Sequence, residues 1–267
     1  MNVLITGGYG FIGSYLYNQL NNQPERLKDN WNIIQSSKNG FYSQLDKKFD
    51  IIYHLAAYSR VPGSNLPENH IFENNIVSLQ QSLELARQTG AKLVFTSTSY
   101  CNVSKNANYY AFSKHIGEQL CEFYHKTYNV DVAVVRLFNV YGNQISNYPQ
   151  WKLGVIDKFL LDKSLGAGYI INNTGEQRRD YVHISDVVSA LIILGFNKTN
   201  PLKLYEVGTG ETYSVNEIAK MIFGDMKPLA QIKVSGEIMN SQSLGGIQHM
   251  IELGWKHKIN LTNFLKS

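Results

Sequence analysis

VLITGGYGFIGS, residues Val3 to Ser14, is the stretch from which the rest of the chain is read. Val3-Leu4-Ile5-Thr6 is a short apolar run that predicts a buried strand. Gly7, Gly10 and Gly13 then stand in the order G-x-x-G-x-x-G, and Ser14 to Leu20 continues as a helix. Each glycine has its own task in such a turn: a backbone with positive φ, close approach to a pyrophosphate, and tight packing of helix on strand. The helix start offers unpaired N–H groups and a positive dipole end to phosphates. Strand, turn and helix open a βαβ unit.

Working outward, Trp31 to Gln35 and FDIIYHL (Phe49 to Leu55) predict two further strands, followed by Leu93 to Thr96 and Val132 to Phe138. Between them, Asn74 to Gln88 and Tyr109 to Tyr128 repeat apolar residues at intervals of three and four, which predicts amphipathic helices. Short apolar runs alternating with such helices specify an α/β fold, a Rossmann-type doubly wound parallel sheet. Residues 1–142 form the expected NAD(P)-binding domain. After Gly142 the text is richer in Asn, Tyr and Gly, and residues 143–267 are expected to be mostly a smaller C-terminal substrate-binding lobe. Segments near 169–172 and 203–208 read as strands able to return to the Rossmann sheet.

A chain of 267 residues supports one compact unit with a cofactor half and a substrate half. It is 43% hydrophobic and 17% charged, an ordinary globular composition. The apolar runs are too short for a membrane span, and Met1 leads straight into Val3 without a signal-like region, so a cytoplasmic protein is expected. The net charge of +4 is scattered, which speaks against nucleic acid and is compatible with an anionic small substrate. Cys101 and Cys121 have no metal-ligand spacing, so no metal site is expected.

Tyr110 and Lys114 lie four residues apart in a predicted helix and so share a face. A free phenol of pKa near ~10 is a poor base at neutral pH, and a neighbouring ammonium lowers that value. Such a tyrosine can take a proton from an alcohol while hydride leaves the same carbon. About 20 residues past the glycines, where a carboxylate would receive the ribose 2′-hydroxyl, the chain has Ser36-Ser37-Lys38. Ser36 can bond either ribose, and Lys38 can pair with a 2′-phosphate, so both NAD and NADP stay open.

Eight motifs occur in order: TGGYGFIGS (Thr6–Ser14), HLAAYSRV (His54–Val61), FTSTSY (Phe95–Tyr100), YAFSK (Tyr110–Lys114), RLFNVYG (Arg136–Gly142), RRDYVHISDVV (Arg178–Val188), EVGTGETYSV (Glu206–Val215) and ELGW (Glu252–Trp255). Together they resemble the NAD-dependent epimerase/dehydratase family, the extended short-chain dehydrogenases, across nearly the whole chain. The resemblance implies Tyr110 as acid and base, Lys114 as the group that holds the ribose and tunes Tyr110, and Thr98 as the hydroxyl on the reacting oxygen. It places Gly7, Gly10, Phe11, Ile12, Gly13, Leu55, Ala56, Ala57 and Asn75 at the dinucleotide. Asn139 and Arg179 fall where the family contacts the diphosphate of a nucleotide sugar. It also implies a homodimer built through two long helices, here the two at 74–88 and 109–128, whose apolar residues beyond one core-facing stripe, including Leu79, Leu83, Leu120, Phe123 and Tyr124, are expected to pair across a two-fold axis. His54 and His183 lie in motifs that shape backbone, and a structural role is expected for both.

The departures narrow the reaction. Ser99 and Tyr100 replace the Asp-Glu that the dehydratases carry after the catalytic threonine, which disfavours dehydration. Glu206 stands where an asparagine is usual, and the chain before Phe49 is short for a further strand and helix. The expectation is an NAD(P)-dependent epimerase of a nucleotide-activated sugar, most simply at C4 through a transient 4-keto sugar. An NADPH-dependent reductase of a 4-keto sugar nucleotide and a non-catalytic dinucleotide sensor are the alternatives.

Overall fold

The computed structural model of the protein describes residues 1–23, 30–37, 47–58, 68–103, 108–142, 153–197, 202–233 and 247–266. The first half runs β1 (Asn2–Thr6), α1 (Phe11–Asn21), β2 (Asn32–Ser36), β3 (Ile51–His54), α2 (Glu68–Phe72), a π-helical turn (Glu73–Val77), α3 (Ser78–Thr89), β4 (Lys92–Thr98), α4 (Tyr100–Val103), α5 (Tyr109–Tyr128) and β5 (Val132–Leu137). The second half runs β6 (Asn139–Tyr141), α6 (Val155–Ser164), β7 (Ile170–Asn172), β8 (Arg178–His183), α7 (Ile184–Phe196), β9 (Leu204–Val207), β10 (Thr212–Ser214), α8 (Val215–Phe223), β11 (Ala230–Ile232), α9 (Ile247–Glu252) and α10 (Leu261–Phe264).

Six strands pair in parallel in the order β2-β1-β3-β4-β5-β9. The period-two alternation of side chains explains why both faces are covered. Val3 and Ile5 of β1 enter one core with Leu16 and Leu20 of α1 and Leu191 and Leu194 of α7. Leu4, between them, enters the opposite core with Leu79 and Leu83 of α3, Cys121 of α5 and Phe95 of β4. Chain direction across the sheet reverses at β1, with β2 on one side and β3 on the other, and this switch point opens a crevice at the strand C-termini.

The second half does not stand apart from this sheet. β9 pairs with β5, Val134 opposite Leu204, and α7 covers the α1 face. The segment at 169–172 needs a correction. β7 pairs in parallel with β11, Ile170 opposite Ala230, and not with the main sheet. The reason lies in its burial, since only Ile171 is buried between exposed Ile170 and Asn172, while central parallel strands are buried on both faces. A third core, with Tyr141, Phe159, Tyr181 and Ile218, lies beneath the small sheet β10-β8-β6. Among the described residues, no helix is long and apolar enough to cross a membrane.

Candidate active site

The glycine turn is closed by a hydrogen bond from Gly10 N to Gly7 O at 2.9 Å. Gly7 has φ +69°, and a Cβ there would stand 2.8 Å from Ala56 N; at Gly13 it would stand 2.3 Å from Gly7 O. No L side chain fits either place without moving backbone. The first turn of α1 has no acidic residue, and its N-cap Gly10 has no side chain to cap it, so the helix presents its positive dipole end at the turn. Two cavities meet at this turn. One of about 370 Å³ is walled by Ser36, Ser37, Ala56, Tyr58 and Asn74, and one of about 560 Å³ by Phe11, Ile12, Thr98, Tyr110 and Arg179. Gly7, Gly10, Leu55 and Ala57 line both. The adjoining hollows and the helix N-terminus between them have the room and the dipole for a dinucleotide with its pyrophosphate at the turn.

The candidate trio of Thr98, Tyr110 and Lys114 comes from two elements, β4 and α5. Thr98 ends β4 and is buried. The N-cap of α5 is Asn108, whose side chain accepts from Ala111 N at 2.8 Å and starts the helix just ahead of Tyr110. Thr98 hydrogen-bonds the Tyr110 phenol, which sits deep in the protein although part of the ring faces the cavity. Burial pushes the phenol well above its usual pKa, and the Thr98 bond opposes this. Lys114 is buried, its Nζ donates to Thr96 O at 2.7 Å, and it lies 4.8 Å from the Phe95 ring centroid. Burial pushes its ammonium down to about 8. The ammonium is thus held by the strand and not by the phenol.

At the substrate end, Asn139 and Arg179 both line the larger cavity. Asn139 Nδ2 donates to Asp180 O at 3.2 Å. Asp180 and Asp186, the acids beside Arg179 in sequence, are both buried and take backbone donors. Asp180 accepts from Thr209 N and Gly210 N, and Asp186 from Lys258 N and Ile259 N. Asp157 Oδ1 likewise accepts from Gly142 N at 2.8 Å. The two histidines are structural. His54 shares Nδ1 with Thr6 Oγ1 and Ser82 Oγ, and His183 caps α7 by accepting from Ser185 N.

Several residues are placed differently from the sequence expectation or were not singled out by it. Asn75 lies in the π-helical turn, buried, and neither cavity wall includes it. Its amide bonds Tyr58 O and Ser113 Oγ, and its Oδ1 accepts from Tyr58 N, so it ties the 55–58 loop to α5. Ser36 is buried with its Oγ bonded to Ser37 O at 2.9 Å, and Lys38 lies outside the described residues. Tyr100 and Tyr181 line the larger cavity. Tyr181 is buried, its hydroxyl has no hydrogen-bond partner among the described residues, and burial raises its pKa to about 12 against the pull of Arg179. Strand alternation was the signal for it, because Arg179 and Tyr181 are two apart on β8 and share a face.

The site and sheet define a dinucleotide-dependent enzyme of the Rossmann class. The model of the NAD dependent epimerase/dehydratase family matches residues 3–208, and the chain belongs to that family. A protein of Methanocaldococcus jannaschii provisionally assigned as a UDP-glucose 4-epimerase is 29% identical, with 99% of this chain and 96% of that protein covered. A UDP-N-acetyl-alpha-D-glucosaminuronate decarboxylase of Bacillus cytotoxicus is 29% identical over 82% of this chain and 78% of its own. Among solved structures, the UDP-glucose 4-epimerase of Thermotoga maritima with UDP-glucose superposes with a TM-score of 0.83 at 27% identity, covering 100% of this chain and 96% of that one.

Proposed function

We propose that the protein is an epimerase of a nucleotide-activated sugar, acting at C4 with NAD as cofactor. The observation that carries this reading is that Thr98, Tyr110 and Lys114 wall the same cavity as the glycine turn, Asn139 and Arg179. Family membership and the similarity to UDP-sugar enzymes support it. Gly7, Gly10, Phe11, Ile12 and Gly13 would hold the dinucleotide, which supplies hydride acceptance and return at the sugar carbon. The chain itself supplies orientation and proton transfer. Arg179 presents paired donors to the substrate diphosphate. Tyr110 takes the proton of the 4-hydroxyl and gives it back, while Thr98 holds the reacting oxygen. Burial alone would leave Tyr110 too weak an acid to act at neutral pH, so the reading requires the Lys114 charge to act on it.

The test is incubation of the purified protein with UDP-hexoses and NAD, with the C4 epimers followed by proton NMR. Interconversion without net NADH is expected. Tyr110→Phe should lower turnover by at least ~10²-fold while the dinucleotide still binds, and near-normal turnover would sink the assignment. The reductase reading keeps one favourable observation, since Ser36 and Ser37 line the smaller cavity with no carboxylate among its described walls. Net loss of NADPH with a 4-keto sugar nucleotide would establish it.

We further propose a cytoplasmic homodimer. Leu79 and Leu83, expected at the interface, are buried in the subunit's own core. Phe123 and Tyr128 on α5 remain about half exposed, at 51% and 48%, and would carry the contact. Light scattering showing only monomer at tens of micromolar, the order where weak interfaces dissociate, contradicts it.

A further inference from the structure

Behind the larger cavity a part-buried polar chain joins five elements. Glu118 lies one helical turn beyond Lys114, as Lys114 lies one turn beyond Tyr110, so the three side chains leave one stripe of α5. The Glu118 carboxylate is fully engaged. Its Oε1 accepts from Ser97 Oγ at 2.5 Å and Arg136 Nε at 2.8 Å, and its Oε2 accepts from Arg136 Nη2 at 2.7 Å. Ser97 immediately precedes Thr98. Arg136 Nη1 donates to Asn102 Oδ1, and the Asn102 amide donates to Glu206 Oε1. Glu206 is 2% exposed. Glu118 therefore meets the guanidinium directly, and Glu206 is linked to it through Asn102. A buried ion pair gives little stability over apolar packing of the same volume, but a bidentate one fixes geometry closely.

We propose that Glu118 is a positioning residue for the catalytic trio: it clamps the β4 end bearing Thr98 to the helix bearing Tyr110, and it gives the Lys114 ammonium a buried counter-charge. This rests on the epimerase reading for its consequence in turnover. The surroundings of Lys114 support the second part. β4 offers it only the Thr96 carbonyl and the Phe95 ring. His54 of β3 is held neutral by burial, its pKa lowered to about 3. Burial also raises the Cys101 thiol of α4 to about 11 and raises Cys121 of α5, so both stay neutral, as does Tyr110. Arg136 of β5 faces this region through Glu118, and His115 Nδ1 of α5 lies 3.8 Å from Glu118 Oε2. Burial sets the downward shift of Lys114, and Glu118, one helical turn further along α5, is the carboxylate among these groups that opposes it, after the two thiols.

The experiment titrates Lys114 directly. Protein labelled with 13C at lysine Cε, free of cofactor, is followed by NMR against pH, and the Lys114 signal is assigned by its loss in Lys114→Met. Glu118→Gln keeps the shape and removes the charge. It should move the Lys114 midpoint down by roughly half a pH unit or more, the scale of one lost neighbouring charge. It should also lower kcat about tenfold with KM nearly unchanged. Glu118→Asp keeps the charge and shortens the reach, so kcat should fall while the midpoint stays. An unmoved midpoint in Glu118→Gln overturns the counter-charge, and an unchanged kcat in Glu118→Asp overturns the clamp. Should Glu118→Gln not fold, Ser97→Ala decides. Lower kcat at unchanged cofactor affinity and melting temperature supports the clamp, and unchanged kcat overturns it. Failure of the epimerase reading would show separately, as normal turnover in Tyr110→Phe, because the titration needs no turnover.

Discussion

The glycine-turn end of the cavity, proposed for the dinucleotide, and the Arg179 end, proposed for the substrate, are built by different means. Around Gly7 to Gly13 the surface offered to a ligand is mostly backbone, shaped by residues within seven positions of one another and backed by strands buried on both faces. Around Asn139 and Arg179 the walls come from β6, α6 and β8, and the loops between elements are held by buried carboxylates. Asp157 grips Gly142, Asp180 grips Thr209 and Gly210, and Asp186 grips Lys258 and Ile259. Charge-assisted bonds to backbone N–H groups replace the ladder that the small sheet is too short to provide. The difference teaches that one end is rigid through sterics and the other through a few polar anchors, and the two should fail differently when mutated.

The largest effect is expected at the glycine turn. Gly13→Ala places a methyl 2.3 Å from Gly7 O and 2.7 Å from Gly8 Cα, both backbone, so NAD affinity by calorimetry should fall by ~10³-fold or more, about 4 kcal/mol. Gly90→Ala controls for backbone strain away from the turn: its φ of +72° disfavours alanine although the Cβ would meet nothing within 4 Å, so stability should fall while NAD affinity holds. Normal binding by Gly13→Ala would mean the phosphates sit elsewhere.

Lys114→Met should be inactive yet more stable. The buried ammonium has its pKa lowered from 10.5 to about 8. Between those pH values the unfolded chain holds a proton that the folded chain has lost, so wild-type stability rises with pH across the window. Below about 8 the full penalty applies, on the order of 3 kcal/mol. Chemical denaturation without cofactor should therefore show Lys114→Met more stable at pH 7, with the gain shrinking toward pH 10.5. A variant less stable than wild type at pH 7 would refute this account of the site.

Asp180→Asn tests the anchors at the other end. It keeps the volume but loses the charge on Thr209 N and Gly210 N, so stability should fall by about 2 kcal/mol. Sugar-nucleotide affinity should weaken while NAD affinity holds. Equal loss of both ligands would erase the contrast between the two ends.

The smallest effect concerns cofactor choice. With Ser36 and Ser37 at the smaller cavity, NADP should bind no worse than about tenfold weaker than NAD, a gap of ~1.4 kcal/mol. Ser37→Asp should widen that gap by repelling a 2′-phosphate. A thousandfold preference for NAD in the wild type would show that the serines do not face the ribose.

The legible parts of the site are those whose geometry is local. Gly7, Gly10 and Gly13 form the expected close-packed turn between β1 and α1, since steric limits act within seven residues, and Tyr110 and Lys114 share the expected face of α5 because a helical face repeats every three to four residues. The helix at 109–128 was read with the bounds it has. Asn75 was read as facing a ligand, and the structure instead bonds it to Tyr58 and Ser113, a partnership that depends on a π-helical turn no periodicity announces. β7 was read as able to join the main sheet, because three apolar letters do not say which edge they meet. Leu79 and Leu83 were assigned to an interface, when the opposite face of the sheet needed them for its own core.

By itself the sequence determined the strand-turn-helix that opens the fold, the parallel sheet with helices on both faces, and the spacing that puts a phenol and an ammonium on one side of α5. Those follow from sterics and periodicities acting over fewer than about ten residues. Only the tertiary structure decided that Thr98 meets Tyr110, that Lys114 rests on Thr96 O, and that Glu118 is gripped by Ser97 and Arg136. Such contacts join strands and helices up to about a hundred residues apart, as Asn102 joins Glu206. Hydrogen bonds between buried polar groups are chosen by which elements pack together, and that choice is made by the whole core and by no single stretch of the chain.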